Sequence, residues 1–167
     1  MSATIRGSTN HRPGAPDSSE PFTFMGCPLP IEDLSLRARN GDLPAPVKGS
    51  FPADGTPTVF DRALTAAARG LSRRRSRHVL VTGPKGVGKT TLVRELARQS
   101  ALGRWPSLAT RRFLLIECGN VPPEESRATL AAVLRFFIGQ EDQDFVLCFD
   151  GIGALLRSAG GVTNNAL

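Results

Sequence analysis

The stretch Gly83-Pro84-Lys85-Gly86-Val87-Gly88-Lys89-Thr90 has the residue types and spacing to hold a chain of phosphates. The pattern is Gly, four residues, Gly, Lys, then Ser or Thr. Glycines let the backbone turn its N–H groups onto phosphate oxygens. Lys89 can neutralise charge at the β- and γ-phosphates, and the Thr90 hydroxyl can ligate Mg²⁺. Thr91 follows in the first helical turn, where the dipole favours an anion. Further along, Phe145-Val146-Leu147-Cys148-Phe149 is an apolar run that ends at Asp150. A strand of this kind carries its acid to the carboxyl edge of a sheet, beside the loop, where it can hold Mg²⁺ directly or through water. The ligand implied is ATP or ADP with Mg²⁺. Gly83 to Thr91 and Asp150 are the binding residues, Thr90 and Asp150 the metal ligands, and no residue is assigned to catalysis.

Those side chains need a frame. His78-Val79-Leu80-Val81-Thr82 is short, apolar and β-branched, and reads as a buried strand that leads into the loop. Thr91 to Arg98 places its apolar residues on one helical face. Ahead of them, Phe60, Leu64, Ala67 and Leu71 form the stripe of another helix. Phe113 to Cys118 reads as a second strand. Pro122-Pro123-Glu124-Glu125 starts a helix with proline and acid, and Leu130, Val133, Leu134 and Phe137 give it a buried face. Phe145 to Asp150 is the third strand, and Ile152 to Arg157 opens one more helix. Strands alternating with helices imply an α/β fold, a parallel sheet with helices on both faces.

Composition sets the outer limits. The chain has 167 residues, 40% of them apolar, enough for one domain with a core. Residues 1–30 are rich in Ser, Thr, Pro and Gly and are expected to be a disordered arm. Residues 31–58 form an entry segment followed by a Pro/Gly linker, with a short helix expected from Ile31 to Gly41. Residues 59–167 form the nucleotide-binding unit. No apolar run is long enough to span a membrane, and the first residues lack the apolar stretch of a signal peptide. Cys27, Cys118 and Cys148 are odd in number and lack metal-ligand spacing. A cytoplasmic location is therefore expected. The net charge of +6 draws on Arg73-Arg74-Arg75-Ser76-Arg77, which reads as a solvated helix end where cations favour the C-terminal dipole. The run could also touch nucleic acid or another acidic surface, but it lacks the interleaved aromatics that a single-strand binder requires, and nucleic acid is not the expected partner.

The entry segment and the regions around the loop resemble the first ATPase module of Clp-type AAA+ unfoldases and disaggregases. Asp33-Leu34-Ser35, Ala38 to Leu43 and Pro46-Val47 are similar to that module's DLT and AREGKLDPVIGR stretch. Leu71 to Arg75 is similar to its LSRR, Gly83 to Thr90 to its phosphate loop (the Walker A motif), and Trp105-Pro106-Ser107-Leu108 to its VPxxL. Leu147 to Ile152 falls on LFIDEI, and Gly160-Gly161 on the following GAGG. The resemblance implies an AAA+ type sheet, an ATPase activity, assembly with AAA+ subunits of the same or another kind, and a protein substrate.

The departures bear on activity. Gly151 stands where the family has the Glu that orients the attacking water. Pro84-Lys85 replaces the usual Glu-Pro, the chain has no Tyr for a substrate-gripping loop, and the stretch from Gly119 to Ser126 is short. The sequence reaches Leu167 before the family's sensor strand, arginine finger and lid, so a partial domain is expected. Glu117 is the nearest other acid, expected on the second strand before the carboxyl edge. Four readings follow: an ATP-binding module with impaired hydrolysis, a non-catalytic nucleotide-dependent interaction module, another kind of phosphate-loop regulator, and a gene remnant that makes no stable product.

Overall fold

The computed structural model describes residues 26–46, 56–140 and 144–153. The expected helix from Ile152 to Arg157 lies mostly outside them, as do residues 1–25 of the expected arm and most of the linker.

The core is built around one strand. β2 (Arg112–Glu117) is buried along all but its last residue. Its side chains alternate between two faces, as a strand's must. Phe113 and Leu115 belong to one apolar cluster, Leu114 and Ile116 to another. β3 (Phe145–Asp150) pairs with β2 in parallel, from Arg112 opposite Phe145 to Glu117 opposite Asp150.

The other edge of β2 departs from the sequence expectation. Ile31–Asp33 is a short strand, β1, and it runs antiparallel to β2, with Ile31 opposite Ile116. The sheet is therefore mixed, in the order β1-β2-β3. The expected helix starts three residues late, as α1 (Leu34–Arg39). Asp33 decides this boundary. Its Oδ1 accepts the Leu36 N–H at 2.9 Å and so caps the helix, while Oδ2 accepts Arg112 Nε at 2.5 Å. Both side chains of that ion pair are under 10% exposed. The Ser35 hydroxyl accepts the Phe113 N–H at 2.9 Å. Glu32 binds both Arg37 and, at 3.0 Å, Arg94. The entry segment is thus bonded to the central strand and to the helix behind the loop. Residues 26–30, placed in the arm by composition, also meet the sheet: Cys27 and Leu29 pack on the second cluster, and Pro30 O accepts the Glu117 N–H.

Three helices cover the first face. α2 (Val59–Leu71) opens with a reciprocal capping box between Thr58 and Asp61 and buries Leu64, Ala67 and Ala68. α3 (Lys89–Ala101) buries Leu92, Leu96 and Ala97. It also buries Glu95, which accepts bonds from Arg98 at 2.7 and 2.8 Å and from Gln99 at 2.7 Å. α1 packs against α3 and β2. Leu108 is fully buried in this cluster and Trp105 leans on it, so the Trp-Pro-Ser-Leu stretch anchors the turn after α3.

α4 (Ser126–Ile138) covers the second face after one turn of 3₁₀ helix at Pro123–Glu125. Val133 and Phe137 are buried there, and Phe137 meets Phe145 edge-on at 5.3 Å. Leu134, expected inside, is 42% exposed because the contact stripe runs through Ser126, Val133 and Phe137.

The largest correction concerns His78 to Thr82. This segment is not a strand. Leu80 is 78% exposed, and only Val81 leans on the core. β-Branched composition favours an extended chain, but a strand needs a ladder partner. Both edges of β2 are taken, and among the described residues the segment pairs with no other strand. Val79 instead lies over Gly70, where a Cβ would come within 2.6 Å of its Cγ2.

Candidate nucleotide-binding site

The loop between that segment and α3 is shaped by glycine. Gly83, Gly86 and Gly88 have φ of 152°, 83° and 95°, a region that side chains avoid. Gly88 is the N-cap of α3, left-handed and without a side chain to bond the helix start. Its carbonyl accepts the Leu92 N–H at 2.9 Å, so the helix begins sharply at Lys89. The first N–H groups of α3, those of Lys89, Thr90 and Thr91 among them, have no partner within the helix, and they add to the positive end of its dipole.

Lys89 folds back over the loop. Its Nζ donates to the carbonyls of Gly83 at 3.0 Å and Pro84 at 2.8 Å. These bonds hold the ammonium within the turn, where a phosphate chain would lie. Lys85 and Val87 are exposed on the rim, Val87 at 59%. Thr91 is exposed one residue beyond Thr90.

Thr90 makes the long-range contact. Its Oγ1 donates to Asp150 Oδ2 at 2.8 Å, across 60 residues of sequence. Two elements with no ladder between them therefore deliver their chemistry to one point. α3 contributes the hydroxyl from its first turn. β3 contributes the carboxylate from its carboxyl end. Hard oxygen donors in this arrangement suit Mg²⁺, which takes one or two protein oxygens and completes its shell with water and phosphate. Thr90 and Asp150 would hold the ion, whose charge would offset that of a bound phosphate. The Asp150 carbonyl also accepts the Cys118 N–H at 2.9 Å, which ties the tips of β2 and β3 together. Burial, reinforced by the negative charge of Asp150, pushes the Cys118 thiol up to about 11. It is a neutral packing group at physiological pH.

Two positions near Asp150 read differently in space than in sequence. Gly151 turns with φ 73°, and a Cβ there would stand 3.2 Å from Gly119 N and 3.3 Å from its Cα. A Glu side chain does not fit onto this backbone unchanged. Glu117, expected short of the edge, is level with Asp150. By strand alternation it shares the face of Phe113 and Leu115, the same face as Cys148 and Asp150. Register placed it there, and register is not visible in a single strand's sequence. Among the described residues no three His, Cys, Asp or Glu side chains gather as a protein-only metal cage.

A family model described as the AAA ATPase domain matches residues 61–115. Over that stretch the chain is similar to AAA ATPase domains. The AAA-like residues include most of α2, the whole phosphate loop, α3 and β2 up to Leu115. That similarity supports a nucleotide-binding module of AAA+ type. The match stops short of Asp150, whose place in the AAA-like site rests on its bond to Thr90. No curated protein matches the chain. No helix of the described residues is long and apolar enough to cross a membrane.

Proposed function

We propose that this chain binds ATP or ADP with Mg²⁺ at Gly83 to Thr91 and Asp150, as a divergent relative of Clp-type protein-remodelling ATPases, and that it hydrolyses ATP slowly or not at all. The single observation that carries the binding site is the 2.8 Å bond from Thr90 to Asp150. It brings a hydroxyl of the phosphate loop and a strand-end carboxylate, far apart in sequence, to one point, and both are oxygen donors of the kind Mg²⁺ takes. The Clp-type part rests on the sequence resemblance, and the roles of the entry segment support it. Asp33, Leu34 and Ser35 are all committed to structure: a cap and ion pair, a fully buried side chain, and a bond to the central strand. The same reading places the module in an assembly of AAA+ subunits in the cytoplasm, acting on protein.

Slow turnover follows from Gly151. Phosphoryl transfer needs an oriented water and cancellation of charge on the γ-phosphate. Gly151 offers no side chain, and its backbone disfavours one. This favours a second reading, in which nucleotide binding switches an interaction and hydrolysis plays no part. Glu117 is the residue that separates the two, since it is the carboxylate level with Asp150.

Titration of fluorescent ATP and ADP into the folded chain tests the proposal. Binding should require Mg²⁺, and Lys89→Ala should weaken it by about 2 kcal/mol through loss of a charge-assisted contact. A folded chain that binds neither nucleotide at millimolar concentration would refute the site. If turnover is found, Glu117→Gln should abolish it while binding persists; turnover that survives this change would leave Glu117 without a catalytic role.

A further inference from the structure

The strands and helices are polarised along one axis. β2 and β3 start at Arg112 and Phe145 and end at Glu117 and Asp150. α3 starts beside Asp150 and runs away from it to Ala101. α2 ends where β2 starts, since Arg111 Nη1 donates to Leu71 O at 2.9 Å. Ser72 and Ser107 then join through their hydroxyls at 2.7 Å. The end of α2 with Arg73 to Arg77, and the turn after α3 with Arg104, therefore share the end of the molecule opposite the phosphate loop.

The arginines there are not spent on the fold. The sequence suggests that they satisfy the end of α2, but other groups do so. Ser72 donates to Ala68 O through both its N–H, at 3.0 Å, and its hydroxyl, at 2.8 Å. Arg111 takes the Leu71 carbonyl. Arg73, Arg74, Arg75, Arg77 and Arg104 are all exposed. Among the described residues none of them pairs with a carboxylate, and only Arg77 makes a side-chain bond, to the Arg73 carbonyl at 2.8 Å. Ser76 adopts a left-handed φ of 53°, which bends the run. Between Asp61 and Glu95 the chain has no acid at all. Among the described residues Asp144 is a carboxylate at this end, and it is held by Arg111 at 3.1 Å.

We propose that this arginine end is a binding surface for the phosphate backbone of double-stranded nucleic acid. The guanidinium fork suits phosphate oxygens, and several unpaired forks on one exposed bend suit a polyanion. A single strand would need stacking platforms, and the nearest aromatic, Trp105, is packed against the core. An acidic protein partner would need an apolar centre to its interface; Arg73 to Arg77 has only Ser76 between the charges, and beside Arg104 a single leucine, Leu102, is exposed. The surface is independent of the nucleotide site and stands whether or not that site binds ATP.

Fluorescence anisotropy with labelled DNA and RNA duplexes of about 20 base pairs, over about 50 to 200 mM salt, tests it. Binding should weaken with salt with a log–log slope of about −4.5, since each phosphate contact, one for each of the five arginines, contributes about 0.9. Replacing Arg73, Arg74, Arg75 and Arg77 together by Gln should flatten the slope by about 3.6 and weaken binding at least about tenfold. Arg104→Gln, an exposed single change, should flatten it by about 1. Lys89→Ala should leave duplex binding intact. Preference for either duplex supports the proposal. Equal or tighter binding of single strands or of polyglutamate overturns it, as does a slope that neither variant changes.

Discussion

Gly151 shows how one residue can carry opposite meanings. In sequence it is a missing carboxylate. In the structure it is a backbone position that a side chain fits poorly, with positive φ and Gly119 close by. Gly151→Glu is thus not a simple repair. Left-handed backbone should cost about 1–2 kcal/mol for any L side chain, and the close contact adds to it. Thermal unfolding should show Gly151→Ala and Gly151→Glu both melting several degrees lower, with no gain in ATP turnover by the isolated chain. A Glu variant as stable as the parent would mean that the 150–151 turn rearranges freely. The thiols of β2 and β3 give a pH prediction. Burial pushes the Cys148 thiol up to about 12, and burial with Asp150 pushes that of Cys118 to about 11. The unfolded chain ionises these thiols near their ordinary value, about 9, so above that pH it holds fewer protons than the folded chain. Stability should be complete below pH 9 and fall between pH 9 and 12. Denaturant melts of Cys118→Ala and Cys148→Ala should show a shallower alkaline loss; an unchanged loss would assign it to other groups.

At the scale of elements, most of the helices were legible because their signals are local. Stripes of apolar residues and a Thr-Asp capping box lie within one turn or two. Pairing was not legible. Nothing in Ile31-Glu32-Asp33 announces an antiparallel edge strand, since its partner is some eighty residues away. The segment His78 to Thr82 misled in the opposite sense: its composition is strand-like, yet among the described residues it forms no ladder, and the outer edge of β3 carries no partner. Asp33 gives the sharpest test of the edge. Asp33→Ala removes the cap and leaves Arg112 buried without its carboxylate, so a loss of about 3–5 kcal/mol is expected in denaturant melts. A loss under about 1 kcal/mol would place the pair among exposed ones. Gly70 tests how the lead-in segment is held. Glycine to alanine within a helix ordinarily gains about 1 kcal/mol. Here the new methyl group meets Val79 at 2.6 Å, and Val79 is stiff at χ1. The gain should vanish, and nucleotide affinity should drop as the segment shifts; a fully stabilised variant with unchanged affinity would show that Val79 yields at no cost.

For the whole molecule, the sequence carried the identity of the site's groups more fully than their arrangement. The phosphate loop was legible because its chemistry is contiguous, and Asp150 because an apolar run delivers it. Glu117 was misplaced because its level depends on which residue of β3 it faces. The Arg run was credited to a helix end that Ser72 and Arg111 satisfy instead. The consequence of that last arrangement reaches beyond any one partner. Among the described residues the unpaired arginines of the 73–77 run and Arg104 gather at one end of the sheet axis, while Glu117, Asp150 and the acids of the turn before α4 stand at the other. A body charged in this way does not meet a negative surface at random. It should land arginines first, on a cation-exchange bead or a mica sheet, with the glycine loop turned to the open solution. Protein adsorbed on such a bead should therefore still take up labelled nucleotide from solution to the same stoichiometry as free protein, whereas protein tethered through its loop side should not.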